Sequence, residues 1–253
     1  MTAPLALVGL AFLSALYVHG AWRRGARQGR AQPVGRWRIA SFLGGTAVVA
    51  VALGSPLHHA AETSLAAHMV QHLLLLVVAA PSIAFGRPMV VLSASGSPVR
   101  PVVRRLAPVV RWLLERPLHV GAVHAAVVWL WHLPAPYEAA LANPLVHAFE
   151  HLTLLAAGVL FWLVIAEPDP ARLGSISAVG YLFAAAMQCG VLGALLTLSE
   201  TLWYPASASA AAAESLADQQ LAGVLMWVPT GLVYLGATLA VVAKSLRVAD
   251  GNP

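Results

Sequence analysis

Charge is scarce in this chain. Of its 253 residues only 10% are Asp, Glu, Lys or Arg, against roughly 25% in an average globular protein. That shortage argues against a chain that folds in water. Cysteine is nearly absent as well: Cys189 stands alone, which excludes an intrachain disulfide and leaves redox compartment undetermined. No internal repeat and no low-complexity linker divides the sequence, so a single domain over 1–253 is expected. No positive run precedes the first apolar stretch, so that stretch does not read as a cleavable signal peptide.

What the chain has instead is apolar length. Hydrophobic residues make up 59% and mean hydropathy is +0.76. Runs long enough to cross a hydrocarbon core of about 30 Å recur. Seven spans are predicted: Pro4–Gly20, Ile39–Ser55, His68–Phe85, Leu118–Leu133, Leu145–Ala166, Ile176–Leu198 and Leu216–Val242. The second and fourth lie at the lower limit of length. The fold class expected is an all-α integral membrane protein, a seven-transmembrane-helix bundle.

The basic residues give this bundle a direction. Arg23 to Arg38 lie between spans one and two, Arg87 to Arg116 between three and four, and Arg172 between five and six; Lys244 and Arg247 follow span seven. All 15 Lys and Arg therefore fall on one side of a seven-span chain, and six or eight spans would break that separation. By the positive-inside rule the N-terminus is expected outside and the C-terminus in the cytoplasm. The pI near 10 then reflects topology, and no nucleic-acid partner is expected. "VRPVVRRLAPVVRWLLERP" (99–117) reads either as an amphipathic helix in the lipid interface or as an Arg-rich loop. "YPASASAAAAES" (204–215) reads as an external loop. Trp131, Tyr137, Trp203 and Tyr204 outside, with Trp22, Trp37 and Trp162 inside, read as interfacial belts.

Histidines and carboxylates gather at the opposite, outer ends of the spans. His68 and His72 open span three in "AAHMVQHLLLLVV" (66–78), and His147, Glu150 and His151 open span five in "NPLVHAFEHLTLL" (143–155). His132 closes span four, and Asp218, Gln219 and Gln220 open span seven. His58 and His59 follow span two and read as solvated loop residues. Ionisable groups at membrane depth are costly and mark functional sites by default. Each histidine pair is spaced i,i+4, so its two imidazoles share one helix face, and two facing helices offer four nitrogens. Imidazoles without nearby cations suit a metal ion, whose ligands are neutral or anionic. Nitrogen and carboxylate donors fit copper(II) or zinc; thioethers favour copper(I). The candidate ligands are His68, His72, His132, His147, Glu150, His151 and Asp218, with Glu150 and Asp218 also able to orient an imidazole, and Gln71 and Gln219 placed as supporting partners. His124 lies about 12 Å deeper than His132 by helical rise. Met187, Cys189 and Met226 lie deeper in spans six and seven, where a copper(I) relay and plain packing are both open readings.

Four blocks carry a resemblance to a known family: "HMVQHLLLLVVAAPSIAFGRP" (68–88), "WHLPAPYEAAL" (131–141), "HAFEHLTLLAAGVLFW" (147–162) and "DQQLAGVLMWVP" (218–229). In this order and over about 160 residues they resemble the CtaG family of polytopic, seven-span cytochrome c oxidase assembly factors. The resemblance implies a bacterial plasma-membrane protein that helps mature a haem-copper oxidase by handling copper. Its implied partners are oxidase subunits and a copper donor, with lipid around it. It marks His68, His72, His132, His147, Glu150, His151, Asp218 and Gln219. "LVIAEPDPARL", after Trp162, is more acidic and Pro-rich than the family pattern. A non-enzymatic metal-handling role is the expectation. Two alternatives stand beside it: an intramembrane zinc hydrolase with Glu150 or Asp218 as general base, and a haem held between His72 and His151.

Overall fold

In the computed structural model, residues 2–27, 34–94, 99–167, 173–204 and 212–249 are described, and all regular structure among them is helical. Among the described residues, six helices are long and apolar enough to cross a membrane. The first two are α1 (Thr2–Arg27) and α2 (Arg36–Gly54). After the short α3 (Pro56–Ala60) comes span three, Leu65–Phe85, built from α4 (Leu65–Leu73), a π-helical segment (Leu74–Ala79) and α5 (Ala80–Phe85). The other three are α10 (Pro144–Ala166), α11 (Ser175–Leu198) and α12 (Ala212–Ala249). Between them lie α6 (Pro88–Ala94), α7 (Arg100–Leu114), α8 (Pro117–Trp131) and α9 (Pro134–Ala142).

A seventh candidate span is the fourth predicted one, and it is broken. α8 has 15 residues, about 22 Å at 1.5 Å per residue, too short to span alone. It meets the length and hydropathy requirement only together with α9, at a bend of 67°. The cause is local: Leu133 precedes Pro134, the proline ring disfavours helical backbone at the residue before it, and Leu133 adopts ψ 145°.

Capping side chains set where the site-bearing helices begin. Ser64 accepts from the Ala67 amide at 3.1 Å to start α4, and Asn143 accepts from Leu145 N at 2.9 Å to start α10, with Pro144 in its first turn. Both follow the usual preference for Ser and Asn at this position and Pro just inside it. Further along span three, Pro81 lacks an N–H and crowds the carbonyl four residues back; the turn before it widens into the π segment, and Trp162 Nε1 donates to the Leu76 carbonyl there at 3.0 Å.

Close packing holds these elements in place. α11 and α12 meet at Gly193 and Gly223, where a Cβ on Gly193 would lie 2.8 Å from the Gly223 carbonyl oxygen; small residues allow such approach between apolar helices. Span three lies between α2, α10 and α12. A buried aromatic group of Phe161, Trp162, Tyr181 and Tyr234 fills the middle of the bundle. α1 joins the end of span three through Tyr17, whose hydroxyl donates to the Gly86 carbonyl at 2.6 Å. Arg87 lies 3.9 Å from Glu167 at the same end.

Residues 99–117 contain a helix, not a loop. α7 exposes Val102, Leu106, Val109 and Trp112 while Val103 and Leu114 face inward. Of the predicted interfacial aromatics, Trp22 and Trp37 are exposed, whereas Tyr137, Trp162 and Tyr204 are fully buried and Trp131 nearly so. Their composition suited a belt, but their helix faces turn into the core. Residues 168–172 and 205–211 lie outside the described residues, so part of the acidic, Pro-rich segment and most of the small-residue tract do too; that tract's last residues begin α12.

Candidate metal centre

α4 and α10 face one another, and each turns polar side chains inward at one end of the bundle. On α4 the i,i+4 spacing stacks His68 above His72; their Nε2 atoms lie 2.9 Å apart. On α10, Glu150 and His151 enter the same space. One ligand atom from each of His68, His72, Glu150 and His151 lies within 4.8 Å of all the others, and all four residues are buried. Glu150 Oε1 is 3.6 Å from His68 Nε2 and 3.4 Å from His72 Nε2. Ligand atoms at about 2.1 Å in a tetrahedron are about 3.4 Å from one another, so these separations fit one small ion with modest adjustment.

The polar atoms of this group are short of partners. Among the described residues, neither oxygen of Glu150 has a hydrogen-bond partner, nor do His72 Nδ1 and His151 Nε2. Burying a carboxylate with no hydrogen bond and no cation is expensive. Histidines are the basic side chains recorded within 4 Å of it. A cation held here would supply what the group lacks, and the donor set of three imidazoles and one carboxylate is of the kind that copper or zinc takes.

The remaining candidates are placed around this group. His147 stacks on His68 (centroids 5.2 Å) and on His58 (5.7 Å), and its Nε2 is 4.0 Å from Glu150 Oε2. It is a neighbour of the four, not one of them. His58 therefore belongs to this end of the bundle and is no solvated loop residue; His59 is exposed beside Glu62. A cavity of about 650 Å³ between α1, α2 and α10 reaches His147 and His151 from the flank, past His58 and Glu62. His132 is buried; its ring is 5.5 Å from that of His72, its Nδ1 is 2.6 Å from the Val128 carbonyl, and its Nε2 is 3.3 Å from Met69 Sδ.

Asp218 stands outside the group. It accepts from Leu65 N at 2.6 Å and Ser64 Oγ at 2.9 Å, so it caps the start of α4 and ties it to α12. An anion at a helix N-terminus meets unpaired amides and the positive end of the dipole, which draws the carboxylate there instead. Gln219 accepts from Trp203 N at 2.7 Å and donates to the Thr201 carbonyl at 3.1 Å, fixing the 199–204 turn. Gln71 Nε2 donates to the Ala52 carbonyl at 2.6 Å and lies 3.3 Å from His58 Nδ1.

Three residues of this surrounding shell escape a search for ligands. Met69 follows His68 directly and reads as packing. Tyr137 lies edge-on to His68 at 5.1 Å and against Tyr204 at 4.4 Å. The Tyr204 hydroxyl donates to the His132 carbonyl at 2.7 Å; burial first, and the Glu150 charge second, push this phenol up, so it stays protonated to donate. The two tyrosines close the end of the group.

The haem alternative does not fit this geometry. The side chains of His68 and Glu150 share the space between His72 and His151, with ligand atoms of all four within 4.8 Å of one another, so a planar macrocycle has no place there.

Residues 15–248 match the family described as cytochrome c oxidase caa3 assembly factor (Caa3_CtaG). The chain belongs to that family. It matches no curated protein and no solved structure. In this CtaG-family chain the buried His/Glu group and its neighbours His132, His147 and Asp218 all lie within the matched residues.

Proposed function

We propose that this CtaG-family protein holds copper as cargo at His68, His72, Glu150 and His151 and presents it to cytochrome c oxidase during assembly, without catalysing a reaction. The single observation that carries this reading is Glu150: a fully buried carboxylate, unpartnered among the described residues and surrounded by imidazoles. A carboxylate in that position is stable when a cation shares the site. Its charge, with three neutral imidazoles, leaves a bound cuprous ion neutral overall and a cupric ion with a single net positive charge.

The chain is read as a multi-pass protein of the bacterial plasma membrane, with the N-terminus outside, the C-terminus cytoplasmic and the His/Glu group near the outer face. The support is the grouping of Lys and Arg at the other ends of the spans. Outward placement suits exchange with a copper donor and with an oxidase subunit. The cleft beside His147 and His151 offers a way to the ligands that avoids the closed tyrosine end. His147, stacked between His58 and His68, is placed to accompany an ion along that way.

The test is metal content of protein purified in mild detergent from copper-replete cells, beside His68→Ala/His151→Ala. Copper in the wild type and its loss in the double variant are expected, with lowered copper in the oxidase of cells carrying the variant. Zinc in the wild type, with lipid turnover, would replace this reading by the hydrolase. Equal metal in both proteins would remove the site.

A further inference from the structure

Beside the His/Glu group, and sharing His72 with it, is a small pocket of about 20 Å³. Its wall includes Met69, Met226, Cys189, His132 and His72. Such a volume holds about one water-sized particle. None of the described residues lining it carries a carboxylate or a permanent charge.

One contact in this wall is hard to explain as packing alone. His132 Nδ1 faces the Val128 carbonyl at 2.6 Å. A carbonyl only accepts, so the proton is on Nδ1, and in the neutral imidazole Nε2 carries a lone pair. That lone pair points to Met69 Sδ at 3.3 Å, and a thioether has no proton to give. Two lone-pair donors therefore meet with no hydrogen between them. Two ligands of one cation meet in this way.

We propose that this pocket is a second metal site, distinct from the His/Glu group, with Met69, Met226 and His132 as donors for a single cuprous ion. The inference rests on the reading that the protein handles copper. Thioether donors select copper(I) over harder ions. The charge argument agrees: in a closed pocket without an anion the cost of burying an ion rises with the square of its charge, so a monovalent ion is favoured over a divalent one. The pocket leaves no room for a hydration shell, and copper(I) accepts few ligands readily. Cys189 Sγ accepts from Gln188 Nε2 at 2.9 Å; apolar surroundings disfavour the thiolate, the ligating form of cysteine, so the thiol is assigned to the wall. His72 belongs to both places, to the His/Glu group through Nε2 and to the pocket wall. A cuprous ion passing between the sites exchanges ligands across that one residue, with no change of oxidation state.

The test is anaerobic titration of the full-length protein in detergent with copper(I) against a competing chelator, followed by X-ray absorption at the copper edge. Met69→Leu/Met226→Leu keeps side-chain volume nearly constant, and its thermal unfolding and size-exclusion profile check that it folds. The wild type is expected to take two equivalents, with sulfur scattering near about 2.3 Å. The methionine variant is expected to take one equivalent without sulfur scattering. His68→Ala/His151→Ala is expected to keep the sulfur-ligated ion and lose the other. A wild type with one equivalent and only nitrogen or oxygen scatterers overturns the second site and leaves the proposed function standing. Sulfur scattering unchanged in the methionine variant also overturns it. No copper bound by the wild type overturns both.

Discussion

Span three and α10 carry the same device, two histidines four residues apart at the same end of an apolar helix, yet the two pairs are used differently. Both histidines of α4 enter the buried group. Only His151 of α10 does, with Glu150 from the same turn beside it, while His147 turns to stack between His58 and His68. Spacing places side chains on a common face, but neighbouring elements decide what each one meets. α3 brings His58 against His147 at one end of the α10 pair. His68 instead meets Tyr137 of α9 edge-on.

The largest effect expected from breaking this asymmetry is at Glu150. Glu150→Gln removes the group's anion, so copper affinity should fall by more than the 10- to 100-fold typical of supporting residues. In metal-free protein the same change should leave stability unchanged or raise it, because the cost of burying that carboxyl without a partner is gone. Calorimetric titration and thermal unfolding of the same sample would read both signs; loss of both affinity and stability would mean that Glu150 has a structural partner.

Next come the two pairs themselves. His72→Ala and His151→Ala should each abolish tight binding, whereas His147→Ala should cost about 10- to 100-fold, as for a residue that orients a ligand. Equal losses at His147 and His151 would put all four imidazoles on the ion and erase the difference between the helices. Affinity should also fall as pH falls, since protons compete for the lone pairs of the imidazoles and the carboxylate. Titrations in two buffers of different ionisation enthalpy should show protons released on binding.

The smallest effects belong to the supports. Asp218→Ala removes the anion at the start of α4 and should lower stability by about 0.5–2 kcal/mol, with copper stoichiometry intact. Lost stoichiometry would return Asp218 to the ligands. Tyr204→Phe removes one buried hydrogen bond and should lower stability by about 1 kcal/mol, with little change in affinity.

These outcomes also mark what a one-dimensional reading can and cannot see. Apolar length made the long helices visible, and the period of His68/His72 made their common face visible. The break at Leu133 was foreshadowed by Pro134, yet hydropathy continues across it. Asp218 looked like a ligand because it shares an end of the bundle with the histidines; its role follows from reaching the amides of α4, a contact made across 153 residues. Met69 gave no signal at all. Its meaning comes from His132, 63 residues away, and from the Val128 carbonyl that settles which nitrogen holds the proton.

The π segment at Leu74–Ala79 has a consequence for how span three is phased. A π turn carries one residue more than an α turn, and one residue is worth about 100° of rotation. Above it the helix shows His68 and His72 to α10; below it, Ile83 packs against Gly45 of α2, so closely that a Cβ there would lie 2.8 Å from Ile83 Cγ1. Deleting a single residue from the segment would regularise the helix and at the same time turn these two halves out of step, so that either the imidazoles or the contact with α2 would face the wrong neighbour. The extra residue acts as a setting of phase between two partners on one rod.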